Sequence, residues 1–239
     1  MFEYLPGLPA ILAVIVAGAI QGSTGFGFNM LAAPVLAVIS TRYVPGAVVL
    51  ISTVVCIVGA LQERRAVVWS DLGFALTGRF VAACLATLLM GVLSDDAFSL
   101  IFGLSVLLAV VLSLFGVPIP KTRATLGIAG TISGFMGTLT SIGAPPMALV
   151  YQDSDPAQAR PTLNAFFVVG GLLSLAALSL GGHFGRTDIL LGLGLLPFSL
   201  IGLWLSVVWR GRISRSHVKR IVLIVSSASA AILLWRALT

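Results

Sequence analysis

Polar side chains are scarce in this chain of 239 residues, so the places where they gather stand out. One cluster runs Gln21-Gly22-Ser23-Thr24-Gly25-Phe26-Gly27-Phe28-Asn29 and leads into Met30-Leu31-Ala32-Ala33-Pro34. The other runs Gly137-Thr138-Leu139-Thr140-Ser141-Ile142-Gly143 and leads into Ala144-Pro145-Pro146. Neither contains a nucleophile beside a base, paired carboxylates or a metal-ligand spacing, so enzymatic chemistry has little to stand on. Both contain what an anion needs. Asn29 and Ser141 are residue types that cap helix N-termini, and proline suits the first helical turn. A helix start offers free N–H donors and a partial positive charge. Gln21, Ser23, Thr24, Thr138 and Thr140 add small donors, while Gly27 and Gly143 let backbone come close to a ligand. The competing structural use of such residues is plain helix packing, where Gly, Ser and Thr also concentrate.

Charged residues extend the inventory only slightly. Arg79 is the one ionisable group well inside an apolar run, about 10 Å deep at helical rise. It either snorkels to a headgroup or faces the interior and attracts an anion. Asp71, Asp188 and His183 fall at the edges of apolar runs, so no buried carboxylate is available for proton coupling. Asn164, after Arg160-Pro161, is a further polar candidate near the start of a span. Cys56 and Cys84 lack CxxC or Cys/His spacing and read as small core residues. No motif calls for a metal or a cofactor.

The elements that must carry these residues are membrane helices. The chain is 58% hydrophobic and 9% charged, against roughly 25% charged in soluble domains, and its mean hydropathy is +1.10. That excludes a soluble globule and a disordered chain. The runs are apolar throughout rather than alternating, which excludes a membrane barrel. The formal charge of +6 marks cytoplasmic loops and lipid headgroups rather than nucleic acid. Met1-Phe2-Glu3 lacks the basic start of a cleaved signal peptide. Apolar runs occupy 8–40, 45–61, 72–93 and 97–115, then 126–151, 162–181, 189–209 and 218–235. Thus one long element and three ordinary ones occur twice. Gly18-x-Ile20-x-Gly22-x-x-Gly25 recurs as Gly130-x-Ile132-x-Gly134-x-x-Gly137, and Ala32 and Pro34 recur as Ala144 and Pro146, all at a shift of 112. The chain therefore divides into an N-terminal repeat (1–116), a linker (117–125) and a C-terminal repeat (126–239).

Each long element exceeds a single span. Thirty-three residues would extend about 50 Å, against a hydrocarbon core of ~30 Å, and each is interrupted by one of the polar clusters. Reading both as hairpins that return to the side they entered puts Arg64, Arg65, Lys121, Arg123, Arg160 and the 210–220 loop (Arg210, Arg212, Arg215, Lys219, Arg220) on one side. Only Arg42, Arg186 and Arg236 fall on the other. That asymmetry obeys the positive-inside rule, whereas two full crossings would leave the charges evenly split. Three spans per half then turn the second repeat upside down. The predicted fold is an all-α polytopic membrane protein of two inverted repeats, each a re-entrant or broken helical hairpin plus three transmembrane helices. The two breaks are expected to meet near the midplane, the arrangement of many secondary-transporter sites.

The two glycine-rich long elements, the half-length of about 115 residues and Arg160-Pro161-Thr162-Leu163-Asn164-Ala165-Phe166-Phe167 together resemble the sulfite exporter TauE/SafE family of bacterial membrane proteins. The first break departs from it, with Gly-Phe-Gly-Phe-Asn where members often have a longer glycine run. The resemblance implies a cell (inner) membrane protein that transports sulfite, sulfoacetate or related organosulfonates, or short carboxylates. The anion site expected from the polar residues themselves draws on Asn29, Ser141, Ser23, Thr24, Gln21, Thr138, Thr140, Gly27, Gly143, Arg79 and Asn164. Export of a monoanion would need no coupling carboxylate, because an inside-negative potential supplies ~2.3 kcal/mol per charge per 100 mV. The expected partners are a small anion and the bilayer, with no nucleic acid; a homo-oligomer is compatible with the sequence. Both termini are expected outside. A carboxylate permease and a non-transporting membrane scaffold are the competing readings.

Overall fold

The computed structural model describes residues 6–114, 116, 119–209 and 215–238. Among these there are helices, short 3-10 turns and no strand. The helices are α1 (Leu8–Thr24), α2 (Phe28–Ile39), α3 (Gly46–Gln62), α4 (Trp69–Met90), α5 (Asp95–Leu114), α6 (Arg123–Thr140), α7 (Ala144–Val150), α8 (Pro156–Leu180), α9 (Arg186–Trp209) and α10 (Arg215–Leu238). Both long elements are interrupted where their polar clusters fall, giving α1/α2 and α6/α7. Leu88, Leu180, Trp204, Trp69 and many other large apolar side chains point outward, a surface suited to lipid and not to water.

Several helices start earlier than the apolar runs, and in two of them a side-chain cap sets the start. The Thr122 side chain takes the Thr125 N–H in a capping box that opens α6 at Arg123. Asp155 takes the Ala157 N–H at 2.9 Å and opens α8 at Pro156; this cap outweighs Pro161, which lies inside the helix. Asn164 is therefore the ninth residue of α8 rather than a residue at a span end. Of the six full spans expected, four meet the length and hydropathy of a crossing among the described residues. α4, α8, α9 and the 96–114 stretch of α5 are long and apolar enough to cross a bilayer. α3, with 17 residues, is shorter. Of the 210–220 segment, residues 210–214, with Arg210 and Arg212, lie outside the described residues, and 215–220 form the start of α10 rather than a loop.

Glycine contacts fix how the helices lie together. A Cβ on Gly18 would collide with the Ser199 carbonyl and one on Gly202 with the Ile15 carbonyl, so α1 and α9 lie in close contact. One turn further along α1, a Cβ on Gly22 would collide with Ser206, one to two turns further along α9, so the two helices run in the same direction. A Cβ on Gly130 would collide with the Ala75 carbonyl, and one on Gly78 would come within 2.6 Å of the Gly127 carbonyl. One on Gly134, a turn beyond Gly130, would collide with the backbone of Arg79, a turn beyond Ala75, so α4 and α6 also run in the same direction. Gly18 and Ile15 shifted by 112 become Gly130 and Gly127, while Ala75 and Gly78 shifted by 124 become Ser199 and Gly202. In the same register Arg79 of α4 is matched by Leu203 of α9, each lying against the second glycine of the motif, Gly134 or Gly22. The remaining packing exchanges similarly, with α3 on α9 and α8 on α4, and with α10 on α2 and α5 on α7.

One end of the bundle gathers Arg64, Lys121, Arg123 and Arg160. There Lys121 Nζ and the Tyr151 hydroxyl both meet Asp71 Oδ2, at 3.0 and 2.9 Å. Burial first, and Asp71 second, push the Tyr151 phenol well above its usual pKa, so it stays a hydrogen-bond donor. At the other end, Asp188 at the start of α9 lies against Gly46 at the start of α3, and Arg236 donates to the Val38 carbonyl at 2.8 Å.

Candidate functional site: a cavity between the two helix breaks

The first break is a reversal made by glycine. Gly25 closes α1 with φ +82 and Gly27 opens α2 with φ +106, both in the left-handed region that costs other residues energy. Gln21 holds the reversal in place. Its Nε2 lies within donating distance of the Gly25 carbonyl (2.9 Å), Asn164 Oδ1 (2.9 Å) and Cys56 Sγ (3.3 Å), and its Oε1 accepts from the Phe28 N–H (3.1 Å). One buried amide thus ties the end of α1 to the first turn of α2, to α3 and to α8.

The second break places Ser141, not glycine, at φ 66 as the C-cap of α6. Its hydroxyl donates to the Pro45 carbonyl at 3.1 Å, and its own carbonyl accepts from Asn29 Nδ2 at 2.7 Å. The two breaks therefore touch through residues 112 apart. The capping roles expected for Asn29 and Ser141 are corrected, however. Gly27 and Gly143 occupy the N-cap positions of α2 and α7, and Asn29 is the second residue of α2 with its side chain turned across the interface. The local reason is chain reversal: the residue that opens α2 needs positive φ, which glycine takes at no steric cost.

Where the breaks meet they leave a cavity of about 30 Å3, lined by Gln21, Gly27, Asn29, Arg79, Ser141 and Gly143, with Ser52 and Cys56 from α3 and Phe167 and Gly171 from α8 among the rest. Arg79 does not snorkel. It is the eleventh of the 22 residues of α4 and only 4% exposed. Its Nη1 donates to Ser133 Oγ at 2.9 Å, and its guanidinium carbon lies 5.0 Å from the Phe166 ring centre. Gly170 and Gly137 leave it room, since a Cβ on Gly170 would overlap the guanidinium and one on Gly137 would come 3.3 Å from Nη2. No carboxylate lines the cavity. Two buried polar atoms here have no hydrogen-bond partner, Arg79 Nε and Asn29 Oδ1.

The other sequence candidates separate into two groups. Ser23 and Thr24 return their hydroxyls to the Ala19 and Ile20 carbonyls and line a larger, open cavity of about 360 Å3. That vestibule lies toward the end bearing Tyr151, Ser154 and Arg160, and it shares Gly27 with the small cavity. At its edge Arg160 makes a two-pronged ion pair with Glu63. Thr138, Thr140 and Asn164 lie apart from the small cavity's lining. Thr138 pairs with Ser174 at 2.7 Å, Thr140 with the Met136 carbonyl at 2.8 Å, and Asn164 with Gln21. Ser52, Ser133 and the α8 glycines were missed. The consecutive pair Gly170-Gly171 inside a span was the available signal, because adjacent small residues there mark a close approach. Cys84, read as a core residue, is exposed on the outer face of α4, whereas Cys56 is buried.

Apolar helices long enough to span a bilayer, surrounding a buried polar cavity, define a multi-pass membrane protein. The sequence model of the Sulfite exporter TauE/SafE family matches residues 10–233, and the chain belongs to that family of membrane transporters. No curated protein and no solved structure matches it.

Proposed function

We propose that this protein carries a small oxyanion across the bacterial inner membrane, sulfite or a compact organosulfonate before others, and that the anion binds between the two helix breaks. The observation that carries the proposal is Arg79. A buried guanidinium with no carboxylate in its cavity is costly, by several kcal/mol, unless something negative compensates it. An unpaired buried cation that merely filled space would be replaced at a gain by a well-packed apolar side chain. The cavity holds about two or three water-sized groups, which favours a compact oxyanion over a longer carboxylate.

We read the chain as two inverted halves, 1–116 and 126–239, joined by 117–125. The exchange of packing partners under the 112 and 124 shifts supports this. The basic end faces the cytoplasm and both termini the periplasm, as the charge asymmetry favours. The open vestibule then belongs to a conformation accessible from the cytoplasm, where an exporter loads. Flux of labelled sulfite from proteoliposomes, with wild type and Arg79→Gln, tests the reading. Loss of flux in the variant is expected; equal flux in both would sink it.

A further inference from the structure

The cavity tells more about its ligand than the sign of its charge. Besides the guanidinium of Arg79 it contains a hydrogen-bond acceptor that nothing satisfies, Asn29 Oδ1. The orientation of that amide is forced. The atom 2.7 Å from the Ser141 carbonyl must be the nitrogen, because a carbonyl oxygen can only accept and a flipped amide would set two acceptors against each other. The same nitrogen also lies 3.1 Å from Ser52 Oγ. The amide oxygen is left buried without a donor, in a cavity that Arg79 also lines, and an unmet buried acceptor is an expensive thing to keep.

Resting on the proposed anion site, we propose that the transported species is a singly charged oxyanion that still carries a hydroxyl, hydrogensulfite rather than sulfite. Its negative oxygens face Arg79 and its O–H donates to Asn29 Oδ1. A dianion or a hydroxyl-free monoanion presents only acceptors, so it leaves Asn29 Oδ1 unsatisfied and sets lone pairs against it. The proton thus travels on the substrate. One negative charge and one hydrogen cross together, without any protein carboxylate to shuttle the proton. This agrees with a cavity lining that contains no Asp or Glu. Hydrogencarbonate shares the recognised chemistry, a negative oxygen beside a hydroxyl, and so distinguishes hydroxyl recognition from recognition of sulfur.

The test uses the full-length protein in proteoliposomes loaded with labelled sulfite. Initial flux is measured across the pH range in which sulfite takes up a proton, at constant total sulfite. Separately, unlabelled hydrogencarbonate and nitrate compete at a pH where hydrogensulfite predominates. The last two are a matched pair: both planar, with three oxygens and one negative charge, and only hydrogencarbonate bears a hydroxyl. The expected result is flux that follows the protonated fraction, with nitrate competing at least about tenfold less well than hydrogencarbonate, because nitrate leaves the buried Asn29 acceptor without a donor. Failure of hydrogencarbonate to compete better than nitrate, or flux that rises as sulfite loses its proton, overturns the inference while leaving an anion site intact. Absence of sulfite flux altogether, with no competition by any anion, instead overturns the transport reading beneath it. Both measurements are made on wild type. Asn29→Leu adds a third, selectivity for hydrogencarbonate over nitrate, which is expected to collapse; a ratio unchanged from wild type counts against the inference.

Discussion

Arg79 and Gln21 are the two residues on which the site depends, and they depend on different physics. Arg79 contributes charge. Replacing it by Gln keeps much of the volume and a donor but removes the cation, so anion flux should fall at least about tenfold, as expected for losing a hydrogen bond to a charged group. Arg79→Lys should recover only part of that flux, because an ammonium cannot reproduce the flat guanidinium held between Ser133 and Phe166. Gln21 contributes geometry. Gln21→Leu would leave the Phe28 N–H and Asn164 Oδ1 buried without partners, at about 1–3 kcal/mol each, and should lower the melting temperature in detergent. If melting were unchanged, the brace assigned to Gln21 would be wrong. The sequence already pointed to Gln21, Asn29, Ser141 and Arg79, since polar atoms in an apolar run are visible without coordinates. What it concealed was direction. Asn29, followed by an apolar run and a proline, has the local sequence of a cap, but the need for positive φ gives that position to Gly27. Arg79 could be placed on a span but not on a face of it, and facing is decided by Gly134, Gly137 and Gly170 on two other helices.

Among the helices, glycine decides which pairs come close. The recurring Gly-x-x-x-Gly spacing of α1 and α6 was legible, and both motifs lie in the closest helix pairs, α1 with α9 and α4 with α6. The partners α9 and α4 were not legible, since nothing local marks Ser199 or Ala75 as the carbonyl that a glycine will press upon. Substitution should follow this geometry. Gly130→Val places a branched side chain where the Ala75 carbonyl sits and should force the two helices apart, with loss of folded protein after detergent extraction. Gly73, also helical but with nothing within 4 Å of a built Cβ, should accept alanine and gain about 0.5–1 kcal/mol from helix propensity. A destabilised Gly73→Ala or a well-folded Gly130→Val would contradict the packing. The starts of α6 and α8 were misplaced by three and six residues for one reason: Thr122 and Asp155 cap through side-chain bonds, while the run of hydrophobicity that was followed begins later.

For the molecule as a whole, the positive-inside argument orients a bundle whose ends the structure distinguishes clearly. In a background without Cys56 and Cys84, a cysteine introduced at Ser154 should react with a membrane-impermeant thiol reagent only from the cytoplasmic face. One introduced at Arg186 should react only from the opposite face. The reverse pattern would invert the proposed orientation. Two perfectly equivalent halves would also have a thermodynamic consequence. Swapping their conformations would convert a molecule open on one face into one open on the other, at identical free energy, and an empty carrier would divide its time equally. Arg79 breaks that degeneracy, because its counterpart is Leu203 and the swap cannot return a cation to the same surroundings. The unloaded protein should therefore rest predominantly on one face, an asymmetry to which this unmatched cation contributes.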